Sequence, residues 1–298
     1  MLYSPYDIKA SEWLRDNPND PNADTIRNKI ATMPTALWVG SGDIGPWVGT
    51  HAANAQKQNQ LPVFVAYDIP NRDLGQYSAG GQKDLQSYIA WSKAFAQGIG
   101  SLPAVLIVEP DSLIHMAGLS PADQNTRLLA LTGLLANFAQ YAPYTSCYLD
   151  GGDGRYNAPE AVAPWMTKLG VGLGTVRGFA VNVANYNPTA VAAAFAKQLT
   201  AKLVSQGAPP SLGYVIDISR NGNGTAPDAY IKAHAANWWC NWPGCKIGSP
   251  PSVSNTVGAD ALLWVKEPGV SDGTCGMAAS TPSGTFDPAL ALRLISGK

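Results

Sequence analysis

The sequence has few charged residues, three histidines and no long apolar run. Charged residues make up 14% of the chain, against about 25% in an average domain, and the net charge is −1. This balance gives no reason to expect nucleic acid or a membrane surface as a partner. No apolar stretch reaches the roughly 20 residues of a membrane-spanning helix. The first residues also lack the basic and apolar regions of a signal peptide, which indicates a cytoplasmic protein or a mature domain without its leader.

Motifs for metal, phosphate and serine chemistry are missing too. There is no HExxH motif and no CxxC pair, and the histidines are scattered, so we expect no metal site and no cofactor. No GxSxG elbow surrounds a serine. The glycine-rich stretches 170–174 and 221–224 do not have the spacing of a phosphate-binding loop. Divalent-metal chemistry on carboxylates stays open as an alternative, because hard cations accept such oxygens.

What the sequence does contain is a series of seven short apolar runs with helical patterns between them. The runs lie at residues 35–40, 61–68, 103–111, 145–152, 178–186, 213–220 and 259–269. Each is too short and too continuously apolar for a surface helix, which predicts strands of a parallel sheet covered on both faces. Ser120 and Asn187 are the predicted N-caps of two of the intervening helices. The alternation predicts one α/β domain over residues 1–298, either a closed barrel or an open wound sheet.

Polar side chains follow most of the predicted strands. They are Tyr67, Asp68, Asp73, Glu109, Asp111, Asp150, Asp153, Asn182, Asn185, Asp217, Lys266 and Asp272. Because the carboxyl ends of parallel strands meet on one face, this pattern predicts a shared acidic cleft. For any single residue, the alternative is that it caps a helix or a turn.

An acidic cleft beside many aromatic side chains favours the hydrolysis of a glycoside. The chain has nine Trp and twelve Tyr, whose rings can belong to the core or can stack against sugar rings. A glycosidase needs one carboxyl group that stays protonated and a second carboxylate that activates water or acts as a nucleophile. Clustered carboxylates on one face of a barrel or wound sheet can supply both groups.

Six segments, in order along nearly the whole chain, resemble glycoside hydrolase family 6 (cellulase family B). They are AYDIPNRDLGQYSAGG (66–81), LIVEPDSL (106–113), CYLDGGDGRYN (147–157), VIDISRNGNG (215–224), WWCNWPG (238–244) and WVKEPGVSDGTC (264–275). The resemblance implies a distorted seven-stranded parallel (β/α) barrel, TIM-like, with an open active-site cleft at the C-terminal ends of the strands. It also implies a bacterial-type endo-β-1,4-glucanase that hydrolyses internal bonds of cellulose and soluble cellulose derivatives, with inversion and without a cofactor.

The resemblance further implies the catalytic residues. Asp111, in EPDSL, falls on the general acid of the family. Asp73 falls on a second aspartate, which raises the pKa of the acid by like-charge proximity and helps to organise the attacking water. Asp272 matches an aspartate often proposed as the base. Tyr67 matches a tyrosine that presses on the distorted sugar, and Asp150 an aspartate that supports substrate binding.

The remaining substrate contacts are expected from aromatic and polar side chains. Lys266 and Trp239 match sugar contacts of the family, and Trp38 in the first strand run is a further candidate platform. Tyr156 stands where many members have Trp. Ser78 is a substitute for the neighbouring Ala79, where some members have a serine that holds the catalytic water. We also expect Asn185, which follows the fifth strand, to contact substrate, whereas Glu109 is expected to brace the end of its strand.

Several positions depart from the family pattern. Val270 replaces a glutamate that normally binds sugar beside Asp272, and Asp153 stands where many members have His. Leu74 and Leu119 take the places of a cysteine pair. The resemblance implies that the second disulfide, Cys240–Cys275, is kept; a Cys245–Cys275 bridge is the alternative. Cys147 is expected to be a buried free thiol.

The expected ligand is cellulose or a cello-oligosaccharide, with no nucleic acid and no membrane as partner, and the protein is expected to be a secreted monomer whose leader is absent from this sequence. No binding module or linker is apparent. An endo-acting enzyme is favoured because the spacings leave no room for a lid and the sequence ends at residue 298, shortly after Asp272. The alternatives are an exo-acting cellobiohydrolase of the same family, a catalytically weakened cello-oligosaccharide-binding protein and a metal-dependent hydrolase.

Overall fold

The computed structural model describes residues 1–298 and contains one seven-stranded parallel sheet. Its strands are β1 (Leu37–Val39), β2 (Val63–Ala66), β3 (Ala104–Val108), β4 (Thr145–Asp150), β5 (Val176–Val181), β6 (Gly213–Asp217) and β7 (Ala261–Leu263). Strand order in the sheet is the order in the chain, and each strand runs parallel to its neighbour. Six of the seven predicted runs therefore contain a whole strand, and the fifth run, 178–186, overlaps β5, which begins two residues earlier.

Nine helices flank the sheet and connect its strands. They are α1 (Lys9–Asp16), α2 (Ala23–Ile26), α3 (Gly45–Lys57), α4 (Leu85–Ile99), α5 (Pro121–Tyr141), α6 (Pro159–Lys168), α7 (Thr189–Ser205), α8 (Asp228–Ala233) and α9 (Pro288–Ser296). A π-helical turn, Arg27–Ala31, continues α2, and short 3₁₀ turns lie at Asp73–Gly75, Ile114–Gly118 and Gly276–Ala278. No helix combines the length and apolar character needed to cross a bilayer.

One of the two predicted helix caps is confirmed and the other is wrong. The Ser120 hydroxyl accepts a hydrogen bond from the N–H of Asp123 at 3.2 Å, as expected for the N-cap of α5. Helix α7, however, has Pro188 in its N-cap position and no side-chain cap. The Asn187 side chain instead accepts a 2.7 Å hydrogen bond from the Thr225 hydroxyl. The side chain of Asn187 thus joins two loops and does not cap the helix.

Side chains alternate across the sheet and form two apolar layers. The inward set is a cluster of 13 buried residues that includes Val65, Ile107 and Tyr148. The outward set, with Phe64 and Leu106, belongs to a cluster of 52 buried residues shared with the surrounding helices. The sheet therefore curls around its own small core while the helices cover its outer face.

The two edges of the curled sheet are linked by main-chain and side-chain hydrogen bonds. The N–H of Ala36, just before β1, donates to the Trp264 carbonyl after β7 at 2.9 Å. The indole N–H of Trp38 in β1 donates to the Val265 carbonyl at 2.7 Å. The expected distorted seven-stranded barrel is confirmed, and the loops after its strands gather at one rim.

Candidate active site

One of the two carboxylates that follow β3 braces the backbone. Glu109 is fully buried and accepts hydrogen bonds from the N–H groups of Asp68 (3.0 and 3.1 Å) and Ile69 (3.2 Å) and from the Tyr88 hydroxyl (2.8 Å). Burial raises the pKa of Glu109 to about 7. The strand ends at Val108, so Glu109 turns into the protein and joins the loop after β2 to the end of β3. The bracing expected of Glu109 is observed.

Three other polar groups at strand ends also brace the structure. Asp217 is fully buried and accepts four backbone N–H groups, those of Ala184, Ser219, Val265 and Lys266, at 2.9–3.1 Å. The buried Asn182 amide donates to the Asp217 carbonyl at 2.8 Å. Asp68 is buried and accepts from the Ser41 hydroxyl at 2.8 Å. These side chains join neighbouring loops to one another instead of lining the cleft, so the acidic cleft contains fewer residues than the sequence suggests.

The other polar side chains converge on a cleft with two connected chambers. The catalytic chamber has a volume of about 560 Å³ and is lined by every predicted catalytic and substrate-binding residue: Asp73, Asp111, Asp150, Asp272, Tyr67, Trp38, Trp239, Tyr156, Asn185, Lys266 and Ser78. The distal chamber, also about 560 Å³, is lined by residues that include Asp7, Lys9, Glu12, Gly40, Trp47 and Glu267. Trp38, Tyr67, Ser78 and Lys266 line both chambers, which makes them one continuous cleft.

Asp111 combines partial exposure to the cleft with an environment that favours its protonated form. Burial raises the pKa of Asp111 to about 8, and the carboxylates of Asp150 and Asp73 add to that rise. The N–H of Asp111 donates to the Asp150 carboxylate at 2.8 Å. The contribution of Asp73 agrees with the expected like-charge effect, but the contribution of Asp150 is larger. A carboxyl group in this state can donate a proton at neutral pH.

Asp73 lies in a loop with unusual backbone geometry. Asp73 and Leu74 have φ of +60° and +47°, a left-handed region that costs energy for non-glycine residues and is frequent at functional sites. The Asp73 carboxylate accepts the Ser78 N–H at 2.7 Å. Burial raises the pKa of Asp73, while the Ser78 N–H, His115 and Arg72 oppose the rise. The loop therefore presents a second carboxylate with some affinity for a proton.

Asp150 and Asp153 are both buried at the end of β4. Asp150 accepts the N–H of Asp111 at 2.8 Å and that of Gly152 at 3.2 Å, and burial raises its pKa to about 6. Asp153 accepts the N–H groups of Arg155 and Tyr156 at 2.7 and 3.2 Å, which shapes the following turn. These acids place negative charge behind Asp111.

The opposite side of the catalytic chamber holds a carboxylate between two cations. Asp272 lies 2.7 Å from the Arg220 guanidinium and 3.1 Å from the Lys266 ammonium, and also accepts the Asn241 N–H at 3.1 Å. Burial opposes ionisation, but the two cations outweigh it and lower the pKa of Asp272 to about 2. Asp272 is therefore held as a carboxylate throughout the neutral range.

Sequence reasoning missed three residues around this chamber. Arg220 is 2% exposed and pairs with Asp272; the sequence signal for it is a cation at the end of the sixth predicted run, three residues after β6. Asn241 exchanges hydrogen bonds with Asp272, since the Asp272 N–H also donates to the Asn241 side chain at 2.9 Å. His115 lines the chamber and lowers the pKa of Asp73. No local pattern identifies the last two.

Aromatic side chains form part of the cleft walls. Trp38 meets Tyr67 edge to face at 5.0 Å, and the Arg72 guanidinium lies 4.6 Å from the centre of the Tyr67 ring. Tyr156 stacks on Trp238 at 5.5 Å with an interplanar angle of 13°. Rings held in this way are rigid surfaces against which the faces of a sugar can pack.

Two loops touch across the cleft where its chambers join. The Ser78 and Ser283 hydroxyl oxygens are 2.7 Å apart. Tyr77 lies over Gly273, where an added Cβ would come within 2.4 Å of the ring, so only glycine permits this approach. We call these two contacts, Ser78–Ser283 and Tyr77–Gly273, the loop bridge. It joins the loop that carries Asp73 to the loop that follows Asp272.

Two of the four cysteines form a disulfide and two are free. Cys240 and Cys275 form a disulfide, so the alternative with Cys245 is wrong; Cys147 and Cys245 are buried free thiols. The disulfide flanks Asn241 and lies close in sequence to Asp272.

Two of the departures from the family pattern can be placed in the structure. Val270 is buried against the distal chamber, and Leu74 is 39% exposed. No three His, Cys, Asp or Glu side chains are grouped closely enough to hold a metal ion.

Comparison with known proteins gives a consistent result. The family model described as "Glycosyl hydrolases family 6" matches residues 3–292. Endoglucanase 1 of Streptomyces halstedii is 38% identical over 99% of this chain and 88% of its own length. Endoglucanase 1 of Streptomyces sp. (strain KSM-9) is 37% identical over 96% of this chain and 75% of its own length. The structure of the endoglucanase Cel6 from Mycobacterium tuberculosis, in complex with methyl-cellobiosyl-4-deoxy-4-thio-β-D-cellobioside, has a TM-score of 0.87 and 32% identity and covers 99% of this chain and 96% of that one.

Proposed function

The chain belongs to family 6 of the glycosyl hydrolases, and we propose that it is an endoglucanase that cleaves internal β-1,4-glucosidic bonds of cellulose and its soluble derivatives. The reaction inverts the configuration at the anomeric carbon. In such a reaction one carboxylic acid protonates the leaving oxygen while water, activated on the other face of the sugar, attacks the anomeric carbon.

The observation that carries this proposal is the state of Asp111. Its pKa of about 8 keeps it protonated at neutral pH, and it faces the cleft. We assign it as the general acid that donates its proton to the glycosidic oxygen. Asp150 supports this role through the N–H of Asp111 and through its negative charge.

Asp73 is the better candidate for handling the proton of the attacking water. Its raised pKa gives it more affinity for a proton than Asp272, whose pKa is about 2. A carboxylate bound by two cations is a weak base. In our proposal Asp272 keeps Lys266 and Arg220 charged and in place beside the sugar, and Asp73 with Ser78 orients the water.

The aromatic and polar groups of the catalytic chamber are proposed to hold the glucan. Tyr67 presses on the sugar at the cleavage point, and Trp38 and Trp239 stack against its neighbours along the chain. Lys266 provides a hydrogen-bond donor to sugar hydroxyls. The remaining contacts are assigned to Tyr156 and Asn185, which line the same chamber.

Endo action fits the relatives and the cleft. The loop bridge includes a single hydroxyl–hydroxyl hydrogen bond, between Ser78 and Ser283, and such a bond contributes only about 0.5–1.5 kcal/mol. An internal segment of a long chain can therefore enter sideways when this hydrogen bond breaks and Tyr77 moves away from Gly273. We also propose that residues 1–298 act as one secreted, monomeric catalytic domain; the Cys240–Cys275 disulfide suits an oxidising compartment.

The test uses carboxymethylcellulose and Asp111→Ala. We expect the wild-type protein to release reducing ends with a rapid fall in viscosity, and the variant to lose activity by about 10²–10⁴-fold, the usual contribution of a general acid. Proton NMR of cellohexaose hydrolysis should show the α-anomer as the first product. Undiminished activity in Asp111→Ala would refute the assignment of the acid, and initial formation of the β-anomer would refute inversion.

A further inference from the structure

The two loops that carry Asp73 and Asp111 are joined directly only at their base. The Asp73 loop, residues 67–84, connects β2 to α4, and the Asp111 loop, residues 109–120, connects β3 to α5. Their only direct hydrogen bonds are those that Glu109 accepts from two N–H groups at the start of the Asp73 loop. No disulfide joins the two loops. The relative position of the two aspartates therefore depends on contacts with other elements.

Each aspartate lies in a tight turn with an unusual backbone conformation. Asp73 belongs to the turn 71–74, in which the last N–H donates to the first carbonyl at 3.3 Å. Asp111 belongs to the turn 109–112, which is closed by the same kind of bond at 3.0 Å. The two aspartates have φ of +60° and +70°. Such conformations persist only where the surrounding structure holds them in place.

Arg127, on the buried face of α5, contacts both turns at once. Its Nη1 group donates to the Ser112 carbonyl and its Nη2 group to the Asn71 carbonyl, both at 3.2 Å. Asn71 begins the turn that contains Asp73, and Ser112 ends the turn that contains Asp111. Because the guanidinium is planar and rigid, the two bonds fix the distance between these carbonyls.

Arg127 is also a buried cation that forms no ion pair. It is 5% exposed, and its hydrogen bonds go to main-chain carbonyls, whereas the buried Arg220 pairs with Asp272. Burial lowers the pKa of Arg127, while Glu109 opposes the change. A buried charge without an ion-pair partner is costly. Its place between the two turns therefore points to a role in the geometry of the site.

We propose that Arg127 is a positioning residue that sets the separation of the Asp73 and Asp111 carboxylates. Arg127 lines neither chamber, so it acts through the two turns and does not touch the sugar. An inverting hydrolase needs room for one water molecule between its two carboxyl groups, a separation of about 6.5–9.5 Å. A displacement of about 1 Å can cost a large factor in rate. The inference rests on the proposed function, since it concerns how that reaction's carboxylates are held.

Arg127→Lys is the variant that tests the position of the carboxylates. Lysine keeps the positive charge but replaces the rigid fork by a single ammonium group on a flexible stem. Arg177→Lys is the matched control. The Arg177 guanidinium also joins two loops, through the Ser211 carbonyl at 2.8 Å and the Asp260 carboxylate at 2.9 Å. Arg177 lies at the start of β5, on the rim opposite the cleft, and lines neither chamber.

The first measurement is the steady-state kinetics of cellohexaose hydrolysis, with thermal unfolding to verify that each variant is folded. In Arg127→Lys we expect kcat to fall by about 10–100-fold, because the two carboxylates are no longer held at the working separation. KM should stay within about twofold of wild type, since the aromatic walls of the cleft are unchanged. Arg177→Lys should retain both values.

The pH profile separates a change of position from a change of charge. Burial raises the pKa of Asp111, and the nearby carboxylates of Asp150, Asp73, Asp153 and Asp272 add to the rise. When Asp73 is free to move away, its contribution falls, so the alkaline decline of kcat/KM should move to lower pH by about half a unit in the lysine variant. Because lysine keeps the charge, a purely electrostatic role would leave the profile unchanged.

Hydrogen exchange at the Ser78 amide reports on the same loop without any substrate. This N–H donates to the Asp73 carboxylate at 2.7 Å. Its exchange should become faster by on the order of tenfold in Arg127→Lys, because the loop opens more often. In Arg177→Lys it should match wild type.

The outcomes separate this inference from the proposed function. Wild-type kcat, pH profile and Ser78 exchange in Arg127→Lys would refute the positioning role and leave the enzyme assignment standing. If wild type hydrolyses neither cellohexaose nor carboxymethylcellulose, the proposed function fails and the catalytic role of Arg127 fails with it, even where exchange shows that Arg127 holds the loop. If Arg127→Lys does not fold, Arg127→Gln decides, since it buries no charge and its amide is too short to reach both carbonyls. Undiminished kcat in Arg127→Gln would contradict the inference.

Discussion

The two sides of the catalytic chamber shift the pKa of an aspartate in opposite directions. Asp111 stands among other carboxylates, and its pKa is raised to about 8. Asp272 is buried with Arg220 and Lys266, and its pKa is lowered to about 2. Burial favours the neutral form on both sides, so the neighbouring charges decide the difference.

This contrast separates a group that can give up a proton from one that stays charged. The Asp111 side has negative neighbours in Asp150 and Asp73, so ionisation there is opposed until the pH is alkaline. The Asp272 side is an ion-pair cluster whose charges are compensated. Pairs of carboxylates whose environments push their pKa values apart identify the acid and the permanently charged partner of a hydrolase.

The largest expected effect is an opposite change in stability on the two sides. Asp272→Asn leaves Arg220 and Lys266 without their carboxylate, and removing one partner of a buried ion pair costs about 3–5 kcal/mol. Asp111→Asn should instead stabilise the protein in alkaline solution. The folded pKa of Asp111 lies above its unfolded value, so the wild type loses stability as the pH rises from about 4 to about 8, and asparagine removes that loss.

Urea unfolding of both variants at pH 5 and pH 9 tests this. The free energy of unfolding of Asp272→Asn should be lower than wild type at both pH values. That of Asp111→Asn should exceed wild type by more at pH 9 than at pH 5. Equal destabilisation by the two substitutions at pH 9 would contradict the comparison.

A smaller effect is expected on the pH profile of kcat/KM. Activity needs protonated Asp111, so it should decline as the pH rises through about 8. Asp150→Asn removes the neighbouring carboxylate with the largest influence, lowers the pKa of Asp111 and should move this decline to lower pH by about one unit. Asp153→Asn is the control, because the influence of Asp153 on Asp111 is smaller. A larger shift in the control, or none in Asp150→Asn, would contradict the assigned order of influences.

The sequence predicts the fold and the acid more fully than the rest of the site. Strands buried on both faces are visible as continuous apolar runs, and the carboxyl ends of such strands converge wherever the sheet curls. That logic brings Asp111 and Asp150 together. By itself it does not distinguish Asp111 from Glu109, for which the family resemblance is needed. The difference depends on how the backbone turns around Pro110, since Glu109 and Asp111 both have positive φ.

The residues around Asp272 are harder to predict from the sequence, because their contacts join positions far apart in the chain. Arg220 reaches Asp272 across 52 positions, and Asn241 reaches it across 31. Asp217 resembles a cleft acid in sequence, yet its carboxylate accepts hydrogen bonds from four backbone N–H groups. Val270 is interpreted from the sequence as a lost sugar contact, whereas Glu267, three residues earlier, accepts the backbone N–H groups of Lys9 and Ala10.

The smallest expected effect concerns the link between the two sides. Ser78 holds Asp73 through its N–H and reaches Ser283, in the loop after Asp272, through its hydroxyl. Ser283→Ala removes only the second contact, worth about 1 kcal/mol, and leaves Ser78 in place, so the chemistry should persist. We expect activity on carboxymethylcellulose to rise by about twofold relative to cellohexaose, because a long chain enters more easily when the loop bridge weakens.

Ser78→Ala should raise the same activity ratio to the same extent as Ser283→Ala, since both remove one hydrogen bond, and should also lower the overall rate because Ser78 is assigned to orient the attacking water. In its ratio of activity on carboxymethylcellulose to activity on cellohexaose, the double variant should therefore resemble either single variant, with an interaction energy close to that of the bond itself. Additive effects would show that the two hydroxyl groups act separately. In that case the loop that carries Asp73 and the loop after Asp272 would not be coupled through this contact, and the two sides of the chamber would differ in their motion as well as in their charge.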